Sequence, residues 1–584
     1  MVDEVKKVFE GAERIGVVGS PSSTGGFTVD ILGTAVSKRL VGNLIIFNYT
    51  QEGKDHYALG QITEITMQNV WTQDPTMRGL IRQKGRVDPI TERQDVHTAE
   101  MTISSVFVKT ESGVEQSILG TVPSTGTPIK LLNEDVMNAL LKNYQKELFY
   151  LGRAYGTNVK LPMWFKHFGT GNFGVGEAYH IGVFGKTGSG KSVLARMMML
   201  GYAQHKEMSI FVLDPQGEFS RDAKGETPIK KILTEKLNRN VEVYDLHNLV
   251  LTGGDLFKKI LVNSGFFERL GIYHETNRMQ AADQIERILS SRARGRQASL
   301  AQPVAPFNAH TREAFNRVWE ALQTDEVLRR IYSGRDYQER VRSTLESSDT
   351  DEFYNLWMRI TNLFKYQGKQ NVIKIKDLVK KIHDKKGNII IIDLSETDVP
   401  EDMFWNDTIK LIVIGEFLDR ITQEAEAKYK KNELLNSLVI IDEAHRLAPR
   451  ERIENEDIER VRRTLIDAIR TTRKFGLGWM FISQTLSSLD REIINQIRIY
   501  VFGFGLAWGV ERQALREIIG GAEEAIRLYQ MFRDPQSSLG KREYPFMTIG
   551  PISPLSFSGT PLFFTALEYP DEFLKVNFGV ENEG

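Results

Sequence analysis

One short stretch sets the chemistry open to this chain. Gly185-Lys186-Thr187-Gly188-Ser189-Gly190-Lys191-Ser192 fits the pattern G-x-x-x-x-G-K-[ST] in full. An apolar run, HIGVFG, leads into it, and a second, SVLARMMMLGYA, leads out of it. Strand, glycine turn and helix are the context that a phosphate cradle requires. The glycines let the backbone curl so that N–H groups point inward. The helix that opens at Ser192 and Val193 adds positive potential at its N-terminus. Lys191 can then reach the β- and γ-phosphates of a nucleoside triphosphate, and the Ser192 hydroxyl can hold Mg²⁺. ATP and Mg²⁺ are therefore the expected ligands.

A second stretch, SLVIIDEAHRLAPR, runs an apolar strand into Asp442 and Glu443. Asp442 can hold the magnesium shell and Glu443 can polarise the attacking water, a general design for NTPases. The letters DEAH also label a class of helicases. In those enzymes the acidic pair follows the P-loop much sooner, and a second RecA-like domain comes after it. Too little chain follows Glu443 here for that, so the letters mislead as to family. Three further stretches read as parts of the same machine. Asp214-Pro215-Gln216-Gly217-Glu218-Phe219 follows a strand, at the carboxyl edge where ligands gather in such sheets, and offers Glu218. Gln484 ends the strand WMFISQ, where a γ-phosphate sensor belongs. Arg470 and Arg473 lie between the acidic pair and Gln484. Either can serve a neighbouring subunit's ATP as an arginine finger, or can simply end a solvated helix. His180 reads as structural or nucleotide-flanking, and His445 as a helix-start residue near the site.

These residues need a scaffold. Up to about residue 130 the chain shows short β-rich runs (GFTVDIL, LIIFNYT, YALGQITEIT, MTISSVFVKT) separated by turn residues, the mark of a small barrel or sandwich. Later strands (HIGVFG, SIFVLD, NIIIIDLS, SLVIID, WMFISQ, IYVFGFG) alternate with helical patterns, the rhythm of a parallel sheet. The expected fold is α/β: a RecA-like P-loop NTPase core, a small N-terminal β-barrel and a helical insertion. The expected domains are 1–150 (barrel), 151–256 (first part of the core), 257–386 (insertion), 387–550 (second part of the core) and 551–584 (C-terminal extension). The stretch PISPLSFSGTPLFF reads as a strap or a tail.

Composition narrows the class. With 584 residues the chain is too long for one core. Its 75 basic and 76 acidic residues nearly cancel, which argues against a wholly basic nucleic-acid binder but leaves room for a basic pore. With no cysteine, disulfides and thiol catalysis are excluded. The N-terminus lacks the apolar core of a signal peptide, and the longest apolar runs, such as IKLIVIGEFL, are too short to span a bilayer. The expected location is cytoplasmic, with no membrane partner.

The order GKTGSGKS, DPQGEF, IIIIDLS, VIIDEAHRLAP, RTTRKFGLGWMFISQ resembles the HerA branch of the HerA/FtsK ATPases. The β-rich start is similar to that family's HAS barrel. Where the family pattern has D-P-H-G-E-Y, R-E-G-R-K and S-Q-R-P, this chain has DPQGEF, RTTRK and SQTL, which spares Glu218, Arg470, Arg473 and Gln484. The resemblance implies a homohexameric ring with ATP between subunits and double-stranded DNA in its channel. It implies a DNA translocase or helicase paired with a NurA-like nuclease or, as in divergent bacterial members of antiphage defence systems, another effector such as a sirtuin-like NAD-consuming protein. Candidate channel contacts are Arg446, Arg450 and Arg452, and the cluster Arg292, Arg294 and Arg296. Two alternatives stand beside this reading: an ATP-bound hexameric scaffold that activates an effector, and a conjugation- or secretion-type motor.

Overall fold

The computed structural model describes residues 4–86, 94–111, 113–171, 173–291, 305, 308–366, 372–383, 387–397, 399–556 and 559–579. Arg292, Arg294 and Arg296 lie outside them.

The N-terminal part is a barrel. Its strands are β1 (Arg14–Val18), β2 (Phe27–Ile31), β3 (Leu44–Gln51), β4 (Lys54–Gln68), β5 (Val96–Thr110), β6 (Gly113–Ser117) and β7 (Pro128–Leu131). They run in the order β2-β1-β7-β3-β4-β5-β6, and β2 also pairs with β5, so six strands close into a ring with β6 outside it. Ile15, Val29, Phe47, Ile62 and Ala99 fill the interior without exposure. Closure needs a bend. The register of β4 against β5 shifts at Gly60, where a Cβ would stand 2.3 Å from the Thr102 carbonyl oxygen, so only glycine lets the two strands approach there.

The second body is a single large sheet. Its strands are β8 (Leu148–Ala154), β9 (Lys160–Trp164), β10 (Ile181–Phe184), β11 (Ser209–Asp214), β12 (Asn240–Tyr244), β15 (Asn388–Asp393), β16 (Ser437–Ile441), β17 (Leu477–Ser483), β18 (Ile499–Phe502), β19 (Pro545–Ile549) and β20 (Leu562–Ala566). The order is β12-β15-β11-β16-β17-β10-β18-β19-β20-β8-β9. From β12 to β18 every pairing is parallel, and from β18 to β9 every pairing is antiparallel. The continuous apolar runs NIIIID, SLVII and LGWMFIS are buried at every position, as strands covered on both faces must be.

PISPLSFSGTPLFF departs from its expected form. Its last residues open β20, which sits inside the sheet between β19 and β8. The helical insertion is clasped at its base by a short parallel pair, β13 (Leu249–Val250) and β14 (Ile373–Lys374). It has an aromatic centre, where Trp357 packs against Phe257, Phe266 and Phe315 and donates Nε1–H to the Ala309 carbonyl at 2.7 Å. Barrel and sheet meet at buried Gln61. Its Nε2 donates to the Phe563 carbonyl at 3.0 Å and its Oε1 accepts from the Phe563 amide at 2.9 Å. Among the described residues no helix is long and apolar enough to cross a membrane.

Candidate active site

The site is built on the carboxyl edge of the parallel strands. β10 ends at Phe184 and the chain turns through Gly185 to Gly190 into the helix Lys191–Ala203. Gly188 and Gly190 hold φ of +82° and +84°, a region costly for any residue with a Cβ. Gly190 caps the helix in that left-handed conformation, with no side chain bonded to the first amides. Those N–H groups are left for a ligand. Lys191 is buried, 8% exposed, with no ion pair among the described residues. The hydroxyl of Ser189 is buried without a partner.

The neighbouring strands bring carboxylates to the same edge. Leu213 of β11 pairs with Ile441 of β16, so the next residues, Asp214 and Asp442, stand side by side, and Asp214 pairs with Asp393 of β15 on its other flank. Burial, then the nearby Glu443, Asp214 and Glu218, push the Asp442 carboxyl up to about 7. Carboxylates crowded in this way resist ionising together. Asp214 has a second task. Its carboxylate accepts the amides of Glu218 at 3.1 Å and Ser220 at 2.8 Å, which fixes the start of the helix Glu218–Ala223 and brings Glu218 to the cleft wall.

Glu443 sits at φ 52°, ψ 42°, a strained backbone for a residue with a side chain. One carboxylate oxygen accepts from Gln484 Nε2 at 3.0 Å, and the other is buried without a hydrogen bond, 3.4 Å from His445 Nδ1. Gln484 Oε1 accepts from the Thr187 hydroxyl at 3.3 Å. A continuous chain thus links the phosphate turn, the strand-end glutamine and the acidic pair. His445 also lies 3.3 Å from the Ser483 hydroxyl; burial depresses its pKa, with Glu443 opposing.

Residues 178–403 match the family model described as "Helicase HerA, central domain". That segment holds the P-loop and β10, β11, β12 and β15, and it is similar to the HerA central domain. No curated protein matches the chain. Solved structures similar to it include VirB4 of Thermoanaerobacter pseudethanolicus, at 14% identity over 72% of this chain and 97% of that one, with a TM-score of 0.37. The genome packaging NTPase B204 of Sulfolobus turreted icosahedral virus 2 is similar at 11% identity over 67% of this chain and 98% of that one, with a TM-score of 0.28. The bacterial conjugative coupling protein TrwB is similar at 12% identity over 66% and 84%, with a TM-score of 0.35.

In the parallel half of the sheet, Lys191, Ser192, Glu218, Asp442, Glu443 and Gln484 share one edge. Arg470 and Arg473 do not. They lie before the start of β17, at the opposite edge, where Arg470 pairs with Glu492 at 3.0 Å and Arg473 with Glu177 at 2.6 Å, all four exposed. His180 is also at that far edge. Its Nε2 lies 3.0 Å from the Ile469 carbonyl, and burial pushes its pKa down to about 4. That position makes it part of the structural frame.

The sequence reading missed three residues. Asp393 was signalled by the strand run ending in DLS. Glu511 accepts the Leu486 amide at 2.8 Å and the Ser487 amide at 3.1 Å, and so holds the loop that leaves Gln484. Tyr544 lines the cleft beside the P-loop. Neither Glu511 nor Tyr544 sits in a motif.

Proposed function

We propose that the chain is an ATP-driven motor on double-stranded DNA, working as a homohexameric ring in the cytoplasm. One observation carries this reading: the loop that leaves Glu443 and the loop that leaves Gln484 are stitched together. The Arg450 amide donates to the Ser488 carbonyl at 2.7 Å, the Asp490 amide donates to the Ala448 carbonyl at 3.0 Å, and Pro449 bridges Leu489. Arg446, Arg450 and Arg452 stand exposed on the first of these loops. A change at the γ-phosphate, felt by Gln484 and Glu443, therefore reaches a basic surface through few bonds. Backbone phosphates supply the sequence-independent affinity that a translocase needs.

In hydrolysis, Lys191 and the open helix amides bind the β- and γ-phosphates. Glu443 accepts a proton from the attacking water, and Gln484 keeps that carboxylate oriented. Ser192 and Asp442 would hold Mg²⁺, which neutralises charge on the phosphates when bound. The pairing with a nuclease or another effector, in DNA end processing or antiphage defence, rests on the family resemblance; copurification from the native source tests it.

The deciding experiment is ATPase activity with and without long duplex DNA. Several-fold stimulation is expected. Replacing Arg446, Arg450 and Arg452 together by Ala removes the stimulation and leaves the basal rate, while Glu443→Gln lowers both rates by about 10²–10⁴. Wild-type protein indifferent to duplex DNA sinks the motor reading. An effector that still works with Glu443→Gln favours the scaffold instead.

A further inference from the structure

A cleft of about 810 Å³ opens beside the P-loop, with Glu218 in its wall. From Lys191 and Ser192 it runs along the helix past Val193 and Met197, with Tyr544 and Thr565 on the opposite wall, while Asp442, Glu443 and Gln484 take no part in its lining. A triphosphate seated on the helix amides turns its γ end toward those three residues. The nucleoside must then extend the other way, into this cleft, whose volume lies within the usual range for a ligand site.

Tyr544 is fixed in that wall. Its carbonyl accepts the Ala566 amide at 2.9 Å, and the next residue, Pro545, pairs with Thr565 in the β19–β20 ladder. Its ring lies against the end of the cradle: a Cβ on Gly190 would stand 2.7 Å from Tyr544 Cδ1. Gln536 lies against Gly188 in the same way, its Nε2 2.2 Å from a Cβ placed there. Three cations of the lining are paired within the chain, Lys541 to Glu568, Arg153 to Glu572 and Arg196 to Asp222, while Arg221 and Arg542 form no ion pair among the described residues.

We propose that the chain from Gln536 to Tyr544 closes the nucleotide site from within the same subunit, and that the Tyr544 ring packs on the base of the bound nucleotide. This rests on the ATPase reading above. The test is calorimetric titration of the purified chain with a non-hydrolysable ATP analogue and, separately, with inorganic tripolyphosphate. Tyr544→Ala is expected to weaken the analogue about tenfold or more, the scale of one lost base–aromatic stack, and to leave tripolyphosphate unchanged. Tyr544→Phe, which keeps the ring, binds both as wild type does. Tyr544→Leu, which keeps most of the volume but no π face, behaves as the alanine variant does and serves if the alanine variant fails to fold. The proposal is overturned if Tyr544→Ala and Tyr544→Leu bind the analogue normally, or if they lose both probes in equal proportion, for then the ring only props the cradle. Wild-type protein that binds both probes equally overturns this inference alone. Wild-type protein that binds neither overturns the ATPase reading with it.

Discussion

Glu443 combines three costs at one position: a left-handed backbone, near-complete burial, and a carboxylate oxygen without a hydrogen bond. Such costs persist where the surroundings fix a residue for a task, and here the fixing partner is Gln484, itself tied to Thr187 of the phosphate turn. His180 illustrates a buried group with a different role. Burial holds its pKa down at about 4, against 6.5 for the ordinary imidazole. As pH falls, the unfolded chain takes up the proton first. The stabilisation from keeping this ring neutral is therefore complete above about pH 6.5 and is lost as pH falls toward 4. Thermal unfolding of wild type and His180→Gln across that window should show it: the advantage of wild type is largest at neutral pH and shrinks on acidification. A constant difference across the window would mean that the imidazole does not titrate as its burial requires.

At the scale of elements, Glu511 joins two pieces that the sequence leaves unconnected. It lies near the start of the helix Gly509–Ile519, is buried, and accepts the amides of Leu486 and Ser487 just beyond Gln484. Glu511→Ala should free that loop and lower kcat with little change in ATP affinity or in the unfolding temperature. An equal loss of nucleotide binding would show that the loop also shapes the ground-state site. The elements legible in the sequence were those whose burial is two-sided. β10, β11, β15, β16 and β17 are runs of apolar residues ending in Gly, Asp, Asp, Asp and Gln, and the ligand-facing residues follow from where each run stops. The antiparallel half of the sheet was hidden. β8 carries Gly152 at a register shift and β9 carries Pro162, residues that usually mark turns. β12 is a half-exposed edge with no continuous apolar run. Tyr544 escaped notice for the same reason, since its place depends on β19 and β20 pairing far from any motif.

For the whole molecule, the two edges of the sheet divide the labour. Arg470 and Arg473 stand at the edge opposite the P-loop, so neither can serve the ATP of its own subunit. If they act on nucleotide at all, they act across a contact between copies. Mixing two inactive variants tests this. Lys191→Ala and Arg473→Ala are each expected to hydrolyse poorly alone, but a mixture contains contacts in which an intact P-loop meets an intact arginine, and activity should return. A mixture as dead as its parts would rule out Arg473 as the finger. The placement of β20 between β19 and β8 has a further effect, on how the molecule is made. A ribosome releases β8 and β9 hundreds of residues before β20 exists to pair with them. Until then the nascent chain carries an open strand edge beside the buried Phe149 and Leu151, a template for aggregation. Shelter of that edge through most of translation is therefore expected to favour folding over aggregation.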